Sequence, residues 1–285
     1  MFGFLNVYKP KGKTSHDVVA ILRRVTKIKQ IGHTGTLDPF AEGVLPICIG
    51  KATRLIEYLK DDKAYVGTVQ LGMSTTTYDI EGEGVKYSDK TVSSEEIEMA
   101  LENFRGDIEQ LPPVYSAIKV NGKKLYEYAR KGEEVIIEPR RVCIHELKIL
   151  NYDKEIRRLE LYIACSKGTY IRSIANDLGE MLGTYGHLIK LLRVQAGNFG
   201  IDETIKLEDL ETKEQVEKNL ISPLVYLDYP KYELTDDEFE KVSHGNPINP
   251  SQTLPDGIIL LTRNSQLSAV SRNTNGVIKC EKVFI

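Results

Sequence analysis

The sequence predicts an α+β fold with a mixed or antiparallel sheet and a small β-rich module at its C-terminal end. Two observations predict it. Long strand patterns are interspersed with helices, but never in the regular β-α-β succession that a parallel doubly wound sheet requires. After Pro230 the texture changes to one helix followed by short strands with turns between them, which places a boundary near Leu227 to Pro230 and domains at 1–228 and 229–285. A chain of 285 residues accommodates one large domain and a small one, and a core of that size holds without disulfides or metals.

The elements follow in order. FGFLNVYKP reads as a strand ending at Pro10. TSHDVVAILRRVTK reads as a helix capped by Thr14 or Ser15, with Val18, Leu22 and Val25 on one face. The Gly-rich segment IGHTGTLDPFAEG leads into VLPICIG, a buried strand, and ATRLIEYLK, a short helix. AYVGTVQLG alternates as a strand does, and the polar STTTYDIEGEG is a loop. SSEEIEMALENFRG is a helix with a Ser93–Glu96 capping box and a stop at Gly106. VYSAIKV reads as a strand entering a tight turn at Asn121-Gly122, and KKLYEYARKG as a short helix. EVIIEPRRVCIHELKILNYD and RRLELYIACSKG are strand-rich. TYIRSIANDLGEMLG is a helix with Ile171, Ile174, Ala175, Leu178 and Leu182 inward and Gly183 at its end. An acidic helix from Leu207 to Leu220 precedes SPLVYLDYP; then come the helix TDDEFEKVSHG and the strands IILLT, LSAV and VIKCEKVFI.

Hydrophobic residues at 41% and charged residues at 28% are ordinary for a globular protein. The four cysteines, Cys48, Cys143, Cys165 and Cys280, form no CxxC pair, which speaks against a structural zinc and for buried free thiols in a reducing compartment. The N-terminal apolar run is too short for a signal peptide and has no basic segment before it, and no stretch approaches a membrane span. The expected location is the cytoplasm. Net charge is −3, but charge is segregated along the chain. Lys9, Lys11, Lys13, Arg23, Arg24, Lys27 and Lys29 stand against Asp17 alone; further basic groups follow at Lys119, Lys123, Lys124, Arg130, Lys131, Arg140 and Arg141. The acids gather between Asp202 and Lys218. Such segregation suits one face that meets phosphates, and equally two solvated faces.

The segment Ile31–Gly43 concentrates the chemical signals. Gly32, Gly35 and Gly43 permit close backbone approach or unusual dihedrals. Asp38, placed before Pro39 and therefore extended, is a carboxylate on a Gly-flanked loop, available as nucleophile or base; Asp-Pro is also a common turn initiator. The glycine spacing fits neither a nucleotide-binding P-loop nor the dinucleotide fingerprint.

Five motifs in order, NVYKPKGKTSHDVV, GHTGTLDPFAEGVLPICIGKATR, KAYVGTVQLGMSTTTYDIEGE, LPPVYSAIKVNGKKLYEYARKG and SKGTYIRSIANDLGE, resemble the TruB family of tRNA pseudouridine synthases, which act on the T-loop uridine at tRNA position 55. The resemblance covers most of residues 2–200. It implies a pseudouridine-synthase fold with a central mixed, mainly antiparallel sheet flanked by helices, plus a small PUA-like RNA-binding module. It implies that Asp38 is the catalytic aspartate, that Tyr65 stacks on the target base, and that Arg172 pairs with the aspartate and keeps it ionised. It further implies substrate-side roles for His33, beside the extruded nucleotide, for Leu191 in the apolar pocket wall, for the pair Lys9 and Pro10 beside the tyrosine, and for Gly32 and Gly35. The implied reaction needs no cofactor and no metal, flips the target base and takes the T arm of tRNA as partner; no membrane is expected, and a monomer is the default because tRNA supplies the interface. A non-catalytic RNA-binding protein or tRNA chaperone, a carboxylate hydrolase, and a synthase with another RNA target remain alternatives.

Overall fold

The computed structural model describes residues 1–129, 131–133 and 135–285; Arg130, one of the basic groups named above, and Glu134 lie outside the described residues. The chain opens with strand β1 (Gly3–Lys9), helix α1 (Ser15–Thr26) and strands β2 (Ile31–His33) and β3 (Glu42–Ile49). Thr14 caps α1: its side chain accepts from the Asp17 amide, and the Asp17 carboxylate accepts from the Thr14 amide at 2.8 Å. A 3-10 helix (Gly50–Tyr58) leads to β4 (Lys63–Leu71), the hairpin β5 (Met73–Thr75) and β6 (Gly84–Tyr87), α2 (Ser94–Leu101) and β7 (Gly106–Gln110). Then come the short hairpin β8 (Lys119–Val120) and β9 (Lys123–Lys124), α3 (Leu125–Ala129), the long strands β10 (Arg140–Asp153) and β11 (Arg158–Cys165), α4 (Ile171–Leu182) and β12 (Gly186–Ala196). The chain continues through β13 (Phe199–Gly200), β14 (Ile205–Lys206), α5 (Lys213–Lys218), α6 (Pro223–Tyr226), β15 (Lys231–Glu233), α7 (Asp236–Ser243), β16 (Gly257–Arg263), β17 (Gln266–Thr274) and β18 (Val277–Val283).

The expected α+β class holds. A ten-stranded sheet runs in the order β14-β1-β3-β12-β4-β11-β10-β7, with β2 beside β3 and β13 beside β12. Two of its pairings are parallel, β1 with β14 and β3 with β12, and the rest are antiparallel. The parallel joint between β3 and β12 brings the Gly43 backbone against Arg193. At Gly43, with φ +106°, an added Cβ would lie 2.3 Å from the Arg193 carbonyl oxygen, so only glycine fits.

The sheet is buried on both faces where β1 and β3 pair. Leu5, Val7, Leu45, Ile47 and Ile49 pack with Val18, Val19 and Leu22 of α1; Phe4, Val44 and Cys48 pack on the other side with Phe199, Tyr226, Leu260, Val270 and Phe284. Double-sided burial explains why VLPICI reads as a continuous apolar run. Along β4 the face of Tyr65 and Val69 meets Ile171, Ile174, Ala175, Leu178 and Leu182 of α4, the inward face read from the sequence.

The C-terminal strands form the four-stranded sheet β15-β16-β17-β18 with its own core of Leu234, Val242, Ile248, Ile259 and Ala269. It is tied to the 3-10 helix after β3: Tyr58 Oη donates to Glu281 at 2.8 Å, Arg54 donates to the Val283 carbonyl at 3.0 Å, and Lys282 pairs with Glu57.

Several local expectations are corrected. Strand β12 at the sheet's centre carries no clean alternation and was not read as a strand at all; it is bulged at two places against β4 and buries Arg193. The acidic stretch after Leu207 is a 3-10 turn and the short α5, not one helix. VYSAIKV is a strand only at Lys119–Val120, VIIEP (135–139) lies before the strand that starts at Arg140, and the Gly-rich segment begins as β2. The polar stretch STTTYDIEGEG is a loop over 76–83, as expected, with its ends taken into β5 and β6, and ATRLIEYLK is 3-10 rather than α. All four cysteines are free, but only Cys48 and Cys165 are buried.

Candidate active site

The site is built around the connection from β2 to β3, residues 34–41. Its backbone is fastened from two sides. On the α1 side, Ser15 Oγ accepts from the Leu37 amide at 2.8 Å and donates to the Leu37 carbonyl at 3.1 Å, and the Gly12 amide donates to the Pro39 carbonyl at 2.8 Å. Lys9 is fully buried, and its ammonium donates to the carbonyls of Lys13 at 2.6 Å, Pro10 at 3.0 Å and Pro39 at 3.4 Å. Burial pushes its pKa down to about 8. On the β12 side, Arg193, also 0% exposed, donates from Nε to the Val44 carbonyl at 2.7 Å and from its two Nη atoms to the Thr36 and Gly35 carbonyls at 3.2 Å each.

Held in this way, Asp38 faces a pocket of about 530 Å³ lined by Gly35, Lys63, Tyr65, Tyr115, Tyr170 and Leu191, among others, a volume suited to one small ligand or nucleoside. Arg172, 5% exposed in the first turn of α4, supplies the counter-charge. Its Nε lies 2.9 Å from Asp38 Oδ2 and its Nη2 donates to Asp38 Oδ1 at 3.3 Å. The same guanidinium reaches a second carboxylate: Nη1 lies 3.3 Å from Asp79 Oδ2, while the Thr77 and Tyr115 carbonyls accept from Nη1 and Nη2 at 3.1 and 3.2 Å. Asp79, 3% exposed, is steadied by Thr77 Oγ1 at 2.5 Å and the Glu81 amide at 3.0 Å.

Arg172 lowers the Asp38 pKa, as expected of a cation paired with it, but does not set the net direction. Although 32% of the Asp38 side chain opens to the pocket, most of its surroundings are protein. That desolvation raises its pKa, Arg172 lowers it, and Asp79 raises it again, so the net direction is upward. Tyr65, 6% exposed, stands opposite Arg193 in the register of β4 and β12, and burial raises its phenol pKa. Gly67 opposes Leu191 one step along the same face.

The structure therefore gathers Asp38, Tyr65, Arg172, Leu191 and Gly35 around one pocket. It leaves others outside its wall. Gly32 sits in β2 in ordinary register with Cys48, and neither it nor Gly35 has a positive φ. Pro10 lines a separate groove with Tyr8, Lys13 and Arg24. Lys9 is a loop clamp and not a phosphate contact. His33 is largely buried beside the loop, with Nδ1 lacking a hydrogen-bond partner, and burial lowers its pKa. The remaining lysines and arginines of the 9–29 segment are exposed. Sequence reasoning missed Asp79, read as part of a polar loop, and also Arg193, Lys63 and the rim tyrosines Tyr115 and Tyr170. The register of β12 on β4 is the only signal that would have found Arg193.

Two family models match the chain: the N-terminal domain of the TruB family pseudouridylate synthases over residues 23–171, and the C-terminal domain of tRNA pseudouridylate synthase B over residues 172–228. The tRNA pseudouridine synthase B of Geobacillus thermodenitrificans (strain NG80-2) is 43% identical over 301 aligned residues, covering 100% of both chains. That of Bacillus anthracis is 42% identical, covering 100% of this chain and 98% of its own. Among solved structures, a chain of a Cbf5-Nop10-Gar1 complex superposes with a TM-score of 0.73 at 25% identity, covering 100% of this chain and 85% of that one.

Proposed function

The chain belongs to the TruB family of pseudouridylate synthases, and on that premise we propose that Asp38 is the carboxylate with which it isomerises the T-loop uridine of tRNA, position 55, to pseudouridine. The observation that carries the assignment is the Asp38 carboxylate at the pocket, gripped by the buried Arg172 beside Tyr65 and Leu191.

The reaction breaks the N1–C1′ bond, turns the uracil within the site and forms the C5–C1′ bond, while the C5 hydrogen leaves as a proton and N1 takes one up. Atoms and charge balance without an oxidant or a reductant. Asp38, ionised, acts at C1′, at C6 or on the 2′ proton, and each of these needs the orientation that Arg172 imposes through its Nη2 hydrogen bond and the nearby Nε. Tyr65 presents a flat face to the base, worth about 1–3 kcal/mol of stacking. The target nucleotide is flipped out of the T loop at a cost of a few kcal/mol, and His33, beside the Asp38 loop, takes the space it leaves. Residues 229–285 form a PUA-like module that adds grip on the RNA. The protein works as a monomer in the cytoplasm; among the described residues no helix is long and apolar enough to cross a membrane.

The test is tritium release from a tRNA transcript labelled at uridine C5, beside a transcript whose T-loop uridine is cytidine. Release from the first alone is expected. Release from both moves the target elsewhere in the RNA, and release from neither replaces the isomerase with an RNA-binding role.

The electrostatics predict a pH dependence. Activity needs ionised Asp38, so kcat falls as pH drops through its pKa, and that limb lies above the ordinary carboxylate range because burial and Asp79 raise it. Asp79→Asn removes the like charge and is expected to move the limb to lower pH. A limb unmoved by the substitution would assign it to another group.

A further inference from the structure

We propose that Lys63 is a phosphate-binding residue at this pocket, taking a backbone phosphodiester of the substrate strand next to the flipped nucleotide; this rests on the isomerase reading above. Lys63 begins β4 two residues before Tyr65 and lines the same pocket as Asp38. Its Cε lies against Gly35, 3.3 Å from where a Cβ on that glycine would stand.

Lys63 is a cation without a carboxylate. Asp61 is taken by Lys167 at 2.6 Å, and Asp62 faces His145 Nε2 at 3.4 Å. Among the described residues Lys63 alone of the pocket's cations has no acidic oxygen within 4.0 Å: Lys167 has Asp61, and Arg172 has Asp38 and Asp79. Its ammonium donates to the Asp61 carbonyl, which leaves it two further donors. Burial and the nearby Arg193 work against its charge and outweigh the support that Asp61 and Asp62 give it from beyond ion-pair distance. Arg193 and Lys9 are themselves satisfied by backbone carbonyls and bring no anion with them. Among the described residues the pocket wall itself thus carries three cations, Lys63, Lys167 and Arg172, and one carboxylate, Asp38.

A uridine whose base lies on Tyr65 carries its ribose and flanking phosphates to the pocket wall that Lys63 forms. A phosphodiester there supplies the missing negative charge, and an ammonium suits it as a point charge that needs no fixed fork.

The experiment uses the full chain and a T-arm stem-loop RNA, unmodified or carrying one neutral methylphosphonate on either side of the target uridine. Lys63→Met is expected to raise KM about tenfold with kcat little changed, and to reduce the slope of log affinity against log salt by about 0.7–0.9. Lys63→Arg restores most of the loss. At the contacted linkage, methylphosphonate costs the wild type the same factor and costs Lys63→Met nothing further. Should Lys63→Met fail to fold, as thermal unfolding would show, Lys63→Gln against Lys63→Arg gives the same comparison. An unchanged KM, or losses from variant and methylphosphonate that multiply at both linkages, overturns the proposal. Wild type that makes no pseudouridine in unmodified RNA overturns the isomerase reading instead.

Discussion

Replacing Asp38 by asparagine is expected to abolish pseudouridine formation, lowering single-turnover rates by about 10⁴-fold or more, the scale for a group on which the chemistry depends. Asparagine keeps the shape and can still accept from Arg172 Nη2, which reaches Oδ1 at 3.3 Å, but it cannot attack carbon or take a proton. The same substitution separates activity from stability. The folded protein raises the Asp38 pKa above its ordinary value, so the ionised form opposes folding. Stability is lost as pH rises from the unfolded pKa through the folded one, and the penalty is fully present above the folded pKa. A neutral amide removes that penalty, and the variant is expected to unfold at the wild-type temperature or above it. A stable variant that binds RNA and does not isomerise it supports the role of Asp38. Activity within tenfold of wild type would remove Asp38 from the chemistry.

Arg172→Met is expected to cost both properties. The guanidinium lies between two carboxylates, Asp38 and Asp79, and is 5% exposed. Methionine fills much of the same volume but leaves two acids facing each other in a desolvated site. Breaking a buried ion pair on one side costs about 3–5 kcal/mol, which corresponds to a fall in Tm of roughly 10 °C for a chain of this size. The loss of the opposing charge raises the Asp38 pKa further, so the acid limb of the rate profile moves to higher pH and the rate at neutral pH falls. Arg172→Lys returns the charge without the two-pronged geometry and should recover stability more than rate. Differential scanning calorimetry and a rate profile between pH 5 and 9 read the two effects apart. Wild-type Tm in Arg172→Met would mean that the carboxylates are relieved by some other group.

Much of this was legible before the fold was known, because caps, apolar stripes and turn residues act locally. The Ser93 capping box, the cap of α1 at Thr14, one of the two residues offered for it, the α4 stripe and the Asn121-Gly122 turn each form where the residues alone place them. What was not legible depends on residues distant in sequence. Strand β12 does not alternate, because it is bulged and sits between β3 and β4, and its buried Arg193 looks like any surface cation until Tyr65 is set beside it. Lys9 looked like a phosphate ligand for the same reason: nothing near it in sequence shows that the carbonyl of Pro39 closes over its ammonium. Asp38 stands out on its Gly-flanked loop, but Tyr65 and Arg172 come from the family resemblance, since the spacing, 27 residues from 38 to 65 and 107 from 65 to 172, follows no local period. Asp79 was lost in a polar loop although it is nearly as buried as the core.

The Asp38 loop is clamped by cations that grip main-chain oxygens: Lys9 holds Pro39, and Arg193 holds Gly35 and Thr36. A carbonyl is the same whatever side chain its residue bears. The outward side chains of Thr34 and Thr36, which line the pocket, can therefore be exchanged without loosening the grip on the carboxylate. The fold in this way separates the part of the loop that must not drift from the part that faces the pocket, so substrate preference can be retuned at those two positions while Asp38 stays where it is.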